Sequence, residues 1–452
     1  MKIILVGCGK IGVALLSALV SEGHDLVAID SRQTVLDELT NQYDVMCMVG
    51  NGADCEALQE AGVDKTDLFI AVTGSDELNM LMCFLAKRLG AGHTIARIRN
   101  PQYNDKSLSF MRQHLDLSMS VNPELLTAQE IFHVLKLPAA SKVESFSRRS
   151  FEMVELRLKE DSPLLGQRLM DLRSRFKAKF LVCVVQRGNE VIIPRGDFIL
   201  HAGDRIGLTA DRTELWKLLK ATGLAKRQAR NVTLMGGSRI AFYLAKMLLS
   251  SGTNVTLIDT DRAMCHKFSD LLPGIVTYCG DGTQQELLQE AGLLDQNAFV
   301  TLTGMDEENI LVAYYAKTQH VSQVIAKVNR DEMARMAGQM GLESVISPKD
   351  VVVNVVLRYA RALDSSMGSS IENLYQLMEG KAEALEFVIR SETHYTNVPL
   401  KELRLKKNIL IGGILRDRRA IIPAGDDVIL PGDRVVVISS QHRLNTLEEI
   451  LL

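Results

Sequence analysis

Lys2-Ile3-Ile4-Leu5-Val6-Gly7-Cys8-Gly9-Lys10-Ile11-Gly12 is the stretch that decides the fold. Its apolar run reads as a short strand buried on both faces, as in a parallel sheet covered by helices. Gly7, Gly9 and Gly12 then fit GxGxxG, and the amphipathic stretch Lys10–Ser21 follows at once. The three glycines have separate jobs: Gly7 permits the tight turn, Gly9 lets a pyrophosphate approach the backbone, and Gly12 lets helix and strand pack closely. The loop amides and the helix dipole favour an anion there. Asp30 ends the second apolar run, Leu26-Val27-Ala28-Ile29, where a carboxylate accepts hydrogen bonds from ribose hydroxyls and repels a 2′-phosphate. That favours NAD(H), with ATP or ADP as the other candidates, although Arg32 is a cation placed to accommodate a 2′-phosphate.

Outward from this stretch, the chain repeats itself nearly half its length later. Ile4-Leu5-Val6-Gly7 returns as Thr233-Leu234-Met235-Gly236, and Leu26–Asp30 as Val255–Asp259. Leu58-Gln59-Glu60-Ala61-Gly62 recurs unchanged as Leu288–Gly292, and Thr73-Gly74-Ser75-Asp76-Glu77 answers Thr303-Gly304-Met305-Asp306-Glu307, with Asn79 answering Asn309. Near the end, Ile192–Asp197 matches Ile421–Asp426 and Ala202-Gly203-Asp204-Arg205 matches Pro431-Gly432-Asp433-Arg434. A period this long means duplication of a whole module, not a solenoid.

The expected fold class is therefore α/β: two tandem Rossmann-like parallel-sheet domains, each followed by a small α+β lobe. The expected boundaries are 1–140 and 226–370 for the Rossmann-like domains and 141–225 and 371–452 for the lobes. Copy-one strands are expected near Ile3–Val6, Asp25–Ile29, Val45–Val49, Leu68–Val72, Thr94–Ile98 and Ser118–Val121. Helices are expected at Glu77–Leu89, and at Pro123–Leu135 and Pro348–Arg361, both opened by proline, which suits a first helical turn. In the first lobe, Phe151–Leu158, Phe180–Gln186, Glu190–Ile193 and Asp204–Leu208 read as strands and Thr213–Leu219 as a helix. Lys226–Arg230 reads as a charged linker.

Composition narrows the function classes. A net charge of -3 offers no basic surface, so no nucleic-acid partner is expected. No apolar run approaches the roughly 20 residues needed to cross a bilayer. The opening strand reaches its glycine loop too soon to be a signal peptide, so a cytoplasmic location is expected. Seven cysteines without a CxxC pair argue against disulfides or zinc and read mainly as small buried hydrophobes. The histidines form no metal-ligand spacing, so no metal is expected.

In copy two the loop is Gly236-Gly237-Ser238-Arg239-Ile240-Ala241. Ser238 puts a side chain where the pyrophosphate comes closest, whereas alanine is tolerated in the last place. Thr73-Gly74 ends the fourth strand at the carboxyl edge, where open α/β sheets bind ligands. Asp76 and Glu77 suit a helix's first turn and read as structural. Arg97 and Lys327 place a cation after the fifth strand of both copies.

On the Gly7–Gly12 loop, Asp30, Leu58–Gly62, Thr73 with Asp76-Glu77 and Asn79, and the Ala96-Arg97-Ile98-Arg99-Asn100-Pro101 run, the whole chain resembles the TrkA family. Its members are peripheral subunits of bacterial Trk potassium transporters with two tandem RCK domains. The resemblance implies nucleotide contacts at Gly7, Cys8, Gly9, Lys10, Ile11 and Gly12, at Asp30, at Thr73 and Gly74, and at Arg97, with Gly52 shaping the third loop. In copy two it implies Gly236, Gly237, Ser238, Arg239, Ile240, Asp259 and Asp281. It further implies a membrane potassium-translocating partner, attachment to the inner face of the membrane through it, and a homo-oligomeric ring, dimer or tetramer, assembled through the Pro123 and Pro348 helices. An NAD-dependent oxidoreductase is the other reading of a Rossmann fold. No recurring acid–base residue beside a substrate pocket supports it. A regulator of another transporter or channel remains the third.

Overall fold

The computed structural model describes residues 1–101, 103, 105–136, 142–146, 151–223, 229–366, 371–378, 380–417, 419–440, 444 and 446–452. The expected linker at Lys226–Arg230 lies mostly outside them.

The first Rossmann sheet is built from β1 (Lys2–Val6), β2 (Asp25–Asp30), β3 (Met46–Val49), β4 (Leu68–Ala71), β5 (His93–Arg97) and β6 (Met119–Val121). Its helices are α1 (Lys10–Ser21), α2 (Gln33–Gln42), α3 (Cys55–Glu60), α4 (Asp76–Leu89), α5 (Asp105–His114) and α6 (Pro123–Lys136). The strand order β3-β2-β1-β4-β5-β6 is all parallel, with its switch point between β1 and β4. Ligands of such sheets bind in the crevice outside that point. Helix α4 shows why the local sequence folds as it does. The Ser75 hydroxyl accepts from the Leu78 amide at 3.2 Å, acids fill the first turn, Lys87 and Arg88 the last, and Gly90 at φ 120° ends it.

The first lobe holds β7 (Lys142–Phe146), β8 (Phe151–Arg157), α7 (Leu169–Phe176), β9 (Phe180–Arg187), β10 (Glu190–Ile192), β11 (Arg205–Ala210) and α8 (Arg212–Ala221), in the antiparallel order β10-β9-β11-β8-β7. Strand β7 and helix α7 were not expected from sequence. The second Rossmann sheet repeats the first with β12 (Asn231–Met235), β13 (Asn254–Asp259), β14 (Val276–Cys279), β15 (Ala298–Thr301), β16 (Gln323–Lys327) and β17 (Ser344–Ile346), ordered β14-β13-β12-β15-β16-β17. Its helices are α9 (Arg239–Ser250), α10 (Arg262–Leu271), α11 (Gln285–Glu290), α12 (Asp306–Thr318), α13 (Asp331–Gln339) and α14 (Pro348–Ser366). The second lobe is β18 (Ile371–Leu377), β19 (Ala382–Val388), β20 (Ile409–Arg416), β21 (Arg419–Ile421) and β22 (Arg434–Ser439), ordered β18-β19-β22-β20-β21. Phe69 and Phe299, at matching positions of β4 and β15, are fully buried. Truncating either to alanine is expected to cost about 3–5 kcal/mol.

The chain divides into two compact units that do not follow the repeat. One contains Met1–Gln129, Val328–Arg330 and Ser347–Ala360. Within it α14 lies against the first sheet, where the Tyr359 hydroxyl meets His93 Nδ1 at 3.2 Å with the rings edge to face. The other contains Glu130–Lys327, Asp331–Ile346 and Arg361–Leu452. Within it the end of α6 lies against the second sheet, and the Gln323 amide donates to the Val134 carbonyl at 2.7 Å. Each long helix thus packs against the sheet of the other module inside one chain. Val134 is 1% exposed, so a charge there strikes the chain's own core before any second subunit.

The two lobes share an apolar core in this second unit: Met153, Cys183 and Val184 pack with Tyr375, Leu377, Met378, Val436 and Ile438. The buried Glu155 carboxylate accepts from the Met378 amide at 3.1 Å, and the Thr209 hydroxyl donates to the Gly412 carbonyl at 2.8 Å.

Candidate functional site

In the first module, Gly7 (φ 97°) turns the chain at the end of β1, and a Cβ there would strike the Thr73 backbone. A Cβ at Gly12 would overlap the Gly7 carbonyl, the close strand–helix packing expected of this glycine. Gly9 differs from both. It is the N-cap of α1 with an ordinary φ of -77°, no side chain caps the helix, and a Cβ there would meet nothing within 4 Å. Gly9 and Lys10 are exposed, Cys8 is buried and Ile11 is half-buried. The result is an open helix N-terminus with a cation beside it, which suits an anion.

Asp30, 7% exposed, holds this loop in place. Its Oδ2 accepts from the Cys8 amide at 2.7 Å, and its Oδ1 from the Arg32 amide at 3.0 Å. The Arg32 guanidinium adds Nε to Oδ1 at 3.1 Å and Nη2 to Oδ2 at 3.4 Å. Four donors fill the acceptor capacity of a carboxylate. Burial pushes the Asp30 carboxyl up, but the Arg32 side chain, the Cys8 and Arg32 amides and the Arg32 charge outweigh it and hold it below the usual range. Burial, then the nearby Asp30 and Cys47, push the Cys8 thiol up to about 12, so Cys8 serves through its amide.

Across the crevice, Asn79 is fully buried and brackets the β4–α4 turn. Its Oδ1 accepts from the Thr73 amide at 2.9 Å and hydroxyl at 2.7 Å, and its Nδ2 donates to the Arg97 carbonyl at 2.9 Å. The Arg97 guanidinium donates to the Thr73 carbonyl. Thr73 and Arg97 are therefore tied to the scaffold, while Gly74 beside them is exposed with open space at its Cα. Asn309, Thr303 and Lys327 reproduce the bracket in the second module. Asp76 accepts from the Arg99 and Asn100 amides, both at 2.8 Å, and Glu77 from the Tyr103 hydroxyl at 2.8 Å. Both acids are scaffold. Gly52 is steric, since a Cβ there would press on Val6 and the Met82 sulfur.

The second crevice has the same outline and different chemistry. Gly236 turns at φ 100°. Asp259 accepts from the Gly237 and Asp261 amides, repeating the Asp30 pattern without an arginine. The Ser238 side chain folds back as N-cap of α9 and accepts from the Ala241 amide at 3.3 Å, while the Ser238 amide donates to the Gly236 carbonyl at 2.9 Å. Two amides that an anion would use are already engaged. Arg239 is exposed and Ile240 is buried. A Cβ on Gly237 would collide with Met264, so this glycine is a packing requirement. Asp281 is held below the usual range by the amide and hydroxyl of Thr283. Glu308, where the first module has Leu78, is pushed up by burial and then by Asp281 and Asp259.

Sequence reading missed the Arg32–Asp30 pair, the acid at Glu308 and the role of Asn79. The recurrence of Asn79 as Asn309 was the available signal, because a polar residue kept at one place in both copies has a job in both. Among the described residues, no group of three or more His, Cys, Asp or Glu is placed to hold a metal, and no helix is long and apolar enough to cross a membrane.

Comparison with known proteins matches the TrkA-N domain to residues 3–112 and 232–348, and the TrkA-C domain to 153–223 and 384–452. The chain is 33% identical over 451 residues to the Trk system potassium uptake protein TrkA homolog of Archaeoglobus fulgidus, covering 100% of both chains. It is 29% identical over 449 residues to the Trk system potassium uptake protein TrkA of Haemophilus influenzae, covering 98% of this chain and 96% of that one. Among solved structures it resembles the GsuK channel bound to NAD, with a TM-score of 0.62 at 18% identity over 97% of this chain and 77% of the other.

Proposed function

The chain belongs to the TrkA family, and from that premise we propose that it is a nucleotide-binding regulatory subunit that gates a membrane potassium-translocating protein of Trk type. The observation that carries this reading is the contrast at the two helix N-termini: open at Gly9, capped by its own side chain at Ser238. The first crevice is the operative site. The phosphates sit on the amides at the start of α1 beside Lys10, and the adenosine ribose lies toward Asp30. NAD(H) is the leading ligand and ATP or ADP the next, in keeping with GsuK structures bound to NAD and to ADP.

Regulation needs a ligand that binds two conformations unequally, because one that binds both equally shifts nothing. We place the subunit on the cytoplasmic side as a homo-oligomeric ring, dimer or tetramer, held to the membrane through its partner. No catalytic step is assigned to it. The test is potassium uptake at low external potassium in cells lacking the chain. Uptake should fall, and return with the wild type but not with Gly9→Val. Undiminished uptake in the deleted cells would overturn the reading.

A further inference from the structure

Cys265 and Cys279 meet across the carboxyl end of β13, outside the nucleotide machinery assigned above. Cys265 closes the first turn of α10, and Cys279 is the last residue of β14, in register with Asp259. The Cys265 sulfur lies 3.6 Å from the Asp259 carbonyl oxygen and 3.8 Å from that of Tyr278, the residue before Cys279. The Cys279 sulfur lies 3.8 Å from the Thr260 carbonyl. The two sulfurs therefore contact the carbonyls of consecutive residues, Asp259 and Thr260. They also act on each other: burial first, then the neighbouring Cys279 and Asp259 and a hydrogen bond with the Cys279 thiol, push Cys265 up to about 11. Cys265 is buried and Cys279 exposed. The matching positions of the first module are Leu36, 1% exposed, and Val49, 51% exposed. The buried position thus asks only for an apolar side chain, and sulfurs at this pair of positions are found in the second module and not the first.

We propose that Cys265 and Cys279 are a reversible redox pair, oxidised by a hydroperoxide to a disulfide that ties α10 to β14 beside Asp259. The exposed Cys279 thiolate attacks the peroxide oxygen; the O–O bond breaks, and the departing hydroxide takes up a proton as water. The Cys265 sulfur then attacks the sulfenic sulfur. The S–O bond breaks, and the second hydroxide leaves as water with the proton from Cys265. Two thiols lose two electrons in total, and one hydrogen peroxide becomes two waters. A thiol of the glutathione class reverses the bond by exchange. The crosslink fixes the strand end that carries Asp259, in the module whose anion seat is closed.

The test treats the reduced full-length protein with one equivalent of hydrogen peroxide, alkylates it under denaturing conditions and maps its peptides by mass. The expected product is a Cys265–Cys279 peptide pair lighter by two hydrogens and restored by dithiothreitol. Cys265→Ser should leave a sulfenic acid on Cys279 that dimedone traps, and Cys279→Ser should leave Cys265 reduced. The proposal is overturned if wild-type Cys279 runs on to sulfinic acid while Cys265 stays reduced, or if the first disulfide maps elsewhere, as to Cys8 and Cys47. The readout is covalent, so it stands or falls apart from nucleotide binding.

Discussion

At the mouth of the first sheet stand Gly9, Arg32, Asn51 and Leu78, where the second sheet has Ser238, Asp261, Asp281 and Glu308. The strand order, the positive-φ glycine and the acid ending the second strand are the same in both. The substitutions close the anion seat with a hydroxyl and surround Asp259 with further carboxylates. Asp259 has more spare acceptor capacity than Asp30, since it accepts two backbone amides and no guanidinium. The acid at the end of the second strand is common to both crevices and so does not distinguish them. A helix N-terminus free of side chains, with no excess of negative charge around it, is what separates the two crevices.

The largest break in this comparison comes from Gly9→Val. Gly9 has an allowed φ and open space at its Cβ, so the fold should survive with an unchanged melting temperature. Nucleotide affinity measured by calorimetry should fall by about a hundredfold or more, roughly 3 kcal/mol. Unchanged affinity would move the site elsewhere. Next is Asp30→Ala, which strips the buried Cys8 amide of its partner and should cost about 1–3 kcal/mol, in stability and again in NADH affinity. Its pH dependence has a definite sign. The folded carboxyl is held low, so its contribution is complete above the unfolded value of about 4 and is lost as pH falls through the folded value. Stabilities of wild type and variant from chemical denaturation should draw together as pH falls from about 4 through the folded value, and a constant gap down to acid pH would contradict this origin.

Arg32→Gln sharpens the contrast in the opposite direction. The guanidinium is more than half exposed, so solvent screens its pair with Asp30 and the fold should barely notice its loss. Freeing two acceptor positions should tighten NAD(H) by up to about fivefold while removing any hold on a 2′-phosphate, read as a larger NADH to NADPH affinity ratio. A fall in NADH affinity would instead make Arg32 a direct contact. The smallest effect belongs to Ser238→Gly, where glycine replaces the serine cap at a cost of only a few tenths of a kcal/mol. It opens the second seat, yet Asp261, Asp281 and Glu308 should still keep nucleotide out. Binding equal to that of the first site would show that the hydroxyl alone closes it.

How much of this was legible follows from how local each signal is. The GxGxxG loop, α1 and the positions of the strands rest on residues adjacent in sequence, and the Ser238 departure was visible as one letter. The Arg32–Asp30 pair was not, because it depends on how the chain turns after β2. Strand β7 was missed because only Val143 breaks its polar run before Phe146. Helix α7 was missed because its central buried residue, Leu172, stands among charged neighbours. Helices α6 and α14 were expected from their sequence, but which sheet they cover is set by long-range packing: Tyr359 reaches His93, and Val134 receives Gln323.

Titration of the full-length protein with NADH by calorimetry tests the central claim most directly. The account predicts one micromolar-class site per chain, about -8 kcal/mol, that disappears in Gly9→Val and survives in Ser238→Val. Two equivalent sites per chain, or a single site lost in Ser238→Val and kept in Gly9→Val, would contradict it.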